Sequence, residues 1–136
     1  MTGRCGLVLL LCLLPVLGWT ATLGEEDSMV INRLNATDFE VIEERSFGAA
    51  GFWCGAATYT ERRQGRSETT PLYVKRPRGP SLTVPGRQGV VFTTDATGLP
   101  PADPGRVTLT VERAGATLKS AQARRYCRDA FTRSTK

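Results

Sequence analysis

Among the side chains that commonly carry chemistry, histidine is missing from all 136 residues. That removes the usual general base at neutral pH. It removes the Ser-His-Asp and Cys-His nucleophile arrangements and the commonest ligand for zinc and copper. Four cysteines remain as candidates: Cys5, Cys12, Cys54 and Cys127. None forms a C-x-x-C pair, the spacing that thiol-redox catalysis uses. The acids Glu25-Glu26-Asp27 and Glu43-Glu44 are adjacent in sequence, and adjacent residues of a strand point to opposite faces. They read as solvated charge rather than a metal site. A carboxylate pair of the kind that hydrolyses glycosides has no motif to locate it. Gly48-Ala49-Ala50-Gly51 lacks the lysine and the spacing of a phosphate-binding loop. No cofactor is expected, no metal site, and no catalytic residue stands out.

Clustered arginine is the one positive signal. Arg62, Arg63 and Arg66 are followed by Lys75, Arg76 and Arg78. Guanidinium groups gathered on loops suit anionic lipid, polysaccharide or nucleic acid. The plainer reading is a solvated basic face, which also offsets the acidic stretch from Glu25 to Glu44. Arg62, Arg63, Arg66, Arg76 and Arg78 are therefore the candidate anion-binding residues.

The N-terminus limits where this chemistry operates. Arg4 precedes an unbroken apolar run from Leu7 to Leu14, and no further charge occurs until Glu25. A basic tip and a short apolar stretch are the layout of a secretory signal peptide. The run is shorter than the roughly 20 apolar residues a membrane span needs. Val16-Leu17-Gly18 and Thr22-Leu23-Gly24 both place small residues where signal peptidase needs them, so cleavage is expected between 18 and 24. Residues 1–24 are then the signal peptide and 25–136 a single domain, with no transmembrane segment after cleavage. Cys5 and Cys12 leave with the peptide. Cys54 and Cys127 travel to an oxidising compartment, where disulfides persist, and only one intramolecular pairing is open to them. In the chain-entropy model a bond closing so long a loop is worth roughly 4 kcal/mol.

The elements that position these groups follow from pattern. Met29 to Leu34 and Phe39 to Ile42 read as strands around a turn at Asn35-Ala36-Thr37-Asp38. The turn is also an N-glycosylation sequon. Ala49, Phe52, Trp53, Ala56, Ala57 and Thr60 share one helical face, which predicts a helix over 49–61 with Ser46 as its N-cap. Gly51 and Gly55 lower helix stability by roughly 1 kcal/mol each, so close approach of another backbone is the expected compensation. Further strands are predicted at Leu72 to Val74, Ser81 to Val84 and Val90 to Thr94. Arg76-Pro77-Arg78-Gly79-Pro80 reads as an irregular turn, and Asp95 to Gly105 as a loop. Val107, Leu109 and Val111 alternate with polar residues, the cleanest strand signal in the chain. A short C-terminal helix is expected over 121–131. The fold class is α+β: a single small domain with a mainly antiparallel sheet packed against the two helices, closed by one disulfide.

Two groups of segments carry a resemblance. Phe39-Glu40-Val41-Ile42 with Gly48-Ala49-Ala50-Gly51-Phe52-Trp53-Cys54-Gly55-Ala56-Ala57-Thr58-Tyr59 is one. The other is Tyr73-Val74, then Gly79-Pro80-Ser81-Leu82-Thr83-Val84-Pro85-Gly86-Arg87, closing with Arg124-Arg125-Tyr126-Cys127. Together they resemble small, uncharacterised exported proteins of Gram-negative bacteria. The resemblance implies a periplasmic location and supplies no activity. The expected function is that of an exported, non-catalytic binding or envelope-accessory protein. Its partner would be an envelope protein or an anionic surface. The alternatives are a polyanion-binding module and a small carboxylate-dependent hydrolase.

Overall fold

A computed structural model describes residues 28–44, 47–102 and 109–132. Strands β1 (Ile31–Arg33) and β2 (Asp38–Ile42) form a hairpin. Its turn is built by Asn35, whose Oδ1 accepts from the backbone N–H of Thr37 at 2.9 Å and of Asp38 at 2.8 Å. A side-chain carbonyl folding the backbone back in this way is why Asn serves turns. Helix α1 (Gly48–Thr58) follows, continued by a π-helical turn (Tyr59–Arg63). Then come β3 (Pro71–Pro80), β4 (Gln88–Thr93), β5 (Thr117–Lys119), α2 (Ser120–Arg124) and α3 (Tyr126–Thr132). The five strands make one antiparallel sheet in the order β1-β2-β4-β3-β5. The α+β expectation holds.

Helix α1 is buried on every side from Gly51 to Thr58. A surface helix would show one apolar stripe; burial all round means partners on opposite flanks. The sheet covers one flank, with Trp53 edge-on to Phe92 at 5.0 Å between centroids. Helix α3 covers another, and the Cys54–Cys127 disulfide joins the two helices. Gly55 permits the sheet contact: a Cβ there would lie 2.7 Å from Val41 Cγ1. The close neighbour is thus a side chain of β2, not a second backbone. At Gly51 an added Cβ would overlap the Phe47 ring. Ser46, the expected N-cap, lies outside the described residues.

Four segments differ from expectation. The Pro77–Pro80 stretch is part of β3, which reaches Pro80 through register shifts on either side of Arg76. Strand β5 pairs only with Pro71 to Tyr73, so the prolines stand beyond it, where a missing N–H breaks no ladder. Ser81 to Val84 is a turn instead of a strand. The Ser81 hydroxyl accepts from the N–H groups of Thr83 and Val84, a local bond that outcompetes β-branched propensity. Val107 lies outside the described residues, and Leu109 to Glu112 forms no ladder. Val111 is nevertheless buried in the core, and the Trp53 indole donates to the Thr110 carbonyl at 3.1 Å. A backbone bond joins the segment to β3, from the Arg78 N–H to the Val111 carbonyl at 2.9 Å, and the alternation among the described residues reported burial. Finally, the C-terminal helix is broken at Arg125 into α2 and α3.

Candidate functional site

The sheet face turned away from α1 carries Asp38, Glu40 and Ile42, successive outward positions of β2. All three are buried. Glu40 is 1% exposed, and a carboxylate at that depth must be fully hydrogen-bonded. Its Oε1 accepts from the Leu82 N–H at 2.7 Å. Its Oε2 accepts from the Ser81 hydroxyl, the Thr83 N–H and the Thr83 hydroxyl at 3.0, 3.0 and 2.6 Å. Asn32 Nδ2 donates in turn to Thr83 Oγ1. The 81–84 turn is folded down over the sheet onto one buried acid. Gly89, diagonal to it on β4, leaves room for it, since a Cβ there would press on Glu40 Oε1 at 2.6 Å.

Asp38 is held in a similar way. Lys75 Nζ and Asn35 Nδ2 donate to its Oδ2, and the Thr37 hydroxyl to its Oδ1. Burial alone would push this carboxyl up; hydrogen bonds from Lys75, Thr93, Asn35 and Thr37 together hold it far below the ordinary carboxylate range.

At the N-terminal end of α1 lies an open cleft of about 270 Å³, bordered by Glu43, Arg78, Glu112 and the first residues of the helix. Arg78 Nη2 donates to both oxygens of Glu43, at 2.8 and 2.7 Å. Glu43 is thereby half-buried and ion-paired instead of solvated. The cleft is bordered by two acids, Glu43 already bound to Arg78 and Glu112 exposed. Glu25, Glu26 and Asp27 lie outside the described residues. Among the described residues no group of three or more Cys, Asp or Glu is placed to hold a metal ion.

The five candidate arginines do not form one patch. Arg62, Arg63 and Arg66 stand at and beyond the far end of the π-helical turn, whereas Arg78 borders the cleft at the opposite end of α1. At 1.5 Å per residue those ends are roughly 20 Å apart. Arg63 reaches across to the segment before β1, donating to the Met29 carbonyl at 2.7 Å. Arg76 sits opposite Val91 in β3. Beside Arg62 and Arg66 the fold brings up other bases. Helix α2 packs against the π-helical turn, where Ser120 and Arg124 both donate to the Glu61 carboxylate. Arg124 also reaches Glu68 at 3.3 Å. Lys119 and Arg125 flank this helix and are exposed.

Comparison with protein-family models, curated proteins and solved structures finds no match.

Sequence reasoning missed Glu40, the most deeply buried acid. The available signal was its place between Phe39 and Val41 in an apolar run, where an outward charge would be expected to meet water. It also missed the arrival of Lys119, Arg124 and Arg125 beside Arg62, because that juxtaposition joins segments about sixty residues apart. Within the helix end, Thr60 is fully buried, and its hydroxyl is the one buried side-chain polar atom without a partner among the described residues.

Proposed function

We propose that this chain is an exported, disulfide-stapled binding domain that acts without catalysis on another component of the bacterial envelope. One observation carries the reading. The acids that the fold draws inward are engaged by structural partners: Glu40 by the 81–84 turn, Asp38 by Lys75, Glu43 by Arg78, Glu61 by Ser120 and Arg124. A general acid needs a carboxyl poised next to a substrate-sized space, and of the two acids at the described cleft Glu43 is already bound to arginine and Glu112 is exposed to solvent. The Cys54–Cys127 bond supports an oxidising location, and the resemblance to small exported proteins of Gram-negative bacteria points to the periplasm.

Two measurements test this. The protein recovered from an expressing Gram-negative cell should lie in the periplasmic fraction with its N-terminus just after a residue between 18 and 24. Screening against glycoside, ester and phosphoester substrates should show no turnover. Turnover abolished by replacing a single carboxylate would overturn the non-catalytic reading.

A further inference from the structure

The basic residues that gather at the C-terminal end of α1 come from three segments. Arg62 belongs to the π-helical turn, Arg66 to the loop after it, and Lys119, Arg124 and Arg125 to the start and end of α2. All five are exposed. The bonds of Arg124 and Ser120 to Glu61 fix the segments against each other. The Ala121 N–H adds a bond to the Glu68 carbonyl and the Ser120 N–H one to the Thr70 carbonyl. Glu61 is itself mostly covered, so the outward charge is arginine and lysine, with Glu68 the exposed acid among them.

We infer that this basic end is a docking surface for a bilayer bearing anionic phosphate headgroups. The inference rests on the binding-domain reading and names its partner. Charge complementarity is the first support. Guanidinium groups pair with phosphate through two parallel hydrogen bonds, and each base near an anionic surface adds measurable attraction. The placement of apolar surface is the second. Val30, one of the exposed large apolar side chains among the described residues, follows Met29, whose carbonyl accepts from Arg63 of the same π-helical turn. An apolar side chain beside exposed bases suits the headgroup boundary of a bilayer better than a linear polyanion. Attachment is therefore mainly electrostatic and reversible.

The test is co-sedimentation of the oxidised, exported protein with phosphatidylglycerol-containing vesicles, and with pure phosphatidylcholine vesicles as control. Variants Arg66→Gln and Arg125→Gln leave the bonds of Arg63 and Arg124 intact. Binding to the anionic vesicles should weaken about fivefold with each replacement and should fall with added salt. Arg76→Gln, at a distant site on β3, should leave it unchanged. Equal binding to both vesicles, no binding, or equal loss in Arg76→Gln would overturn the inference. So would binding to heparin or DNA without binding to vesicles, which would assign the patch to a linear polyanion. A vesicle failure accompanied by stoichiometric binding of a purified envelope protein would remove the lipid inference and leave the binding-domain reading intact.

Discussion

Glu40 shows how one buried charge shapes a segment forty residues away. Its carboxylate accepts four hydrogen bonds from Ser81, Leu82 and Thr83, and charge-assisted bonds are the strong ones. Glu40→Gln replaces one acceptor oxygen by a donor facing donors. The expected loss is about 2 kcal/mol, read as a lower urea midpoint at unchanged m-value. The amides of Leu82 and Thr83 should also exchange faster with solvent. An unchanged midpoint would mean that the turn is held by something else. Asp38 makes a different prediction, because its carboxyl titrates below its ordinary value of 3.8 when folded. A lowered folded pKa contributes stability that is complete above the unfolded pKa and is lost as pH falls through the folded one. Between about pH 6 and about pH 3 the wild type should therefore lose more stability than Asp38→Asn. Parallel pH profiles for the two proteins would contradict the assignment.

Helix α1 was the most legible element in the sequence, and the reason is physical. Its residues are apolar at helical spacing, and that signal is local. What the spacing could not reveal was burial on both flanks, because the second flank is supplied by α3 from the far end of the chain. The glycines did point to a tight contact, and the contact is with Val41 and Met29. Gly55→Ala should cost about 1–2 kcal/mol, since overpacking against β2 outweighs the gain of roughly 1 kcal/mol in helix propensity. A stabilised variant would show that the helix can lift off the sheet freely. Strand β3 was the least legible. Pro77, Gly79 and Pro80 signal a break, and they do break the register, yet the strand continues because its partner β4 is intact and β5 stops short of them. The same limit applied to the candidate site. Runs of arginine were visible, but Arg78 was drawn to Glu43 and Arg62 to the neighbourhood of α2 by pairings that no local window contains.

The described residues form a sheet with helices on one face and a turn clamped to the other, stapled by the Cys54–Cys127 bond. The disulfide joins residues 73 apart, so it constrains most of the described chain when unfolded. Reduction, or Cys54→Ala with Cys127→Ala, should remove about 4 kcal/mol, a large fraction of the roughly 5–15 kcal/mol that stabilises an ordinary domain. Comparing urea midpoints with and without reductant measures this directly. Intact mass before reduction should show no alkylation at Cys54 or Cys127. A reduced protein as stable as the oxidised one would show that helix packing alone suffices.

The clamped turn also decides where the chain tolerates foreign sequence. Exposed loop tips ordinarily accept insertions, and Leu82, at 57% exposure, looks like such a tip. An affinity tag placed there would separate Ser81 from Thr83 and unseat Glu40, so purification handles and fluorescent reporters should fail at this position. The loop around Ala96 to Gly98 has no comparable anchor: Gly98 has open space about it, and Asp95 bonds to its near neighbours Thr93 and Thr97. Insertions there should yield folded, oxidised protein.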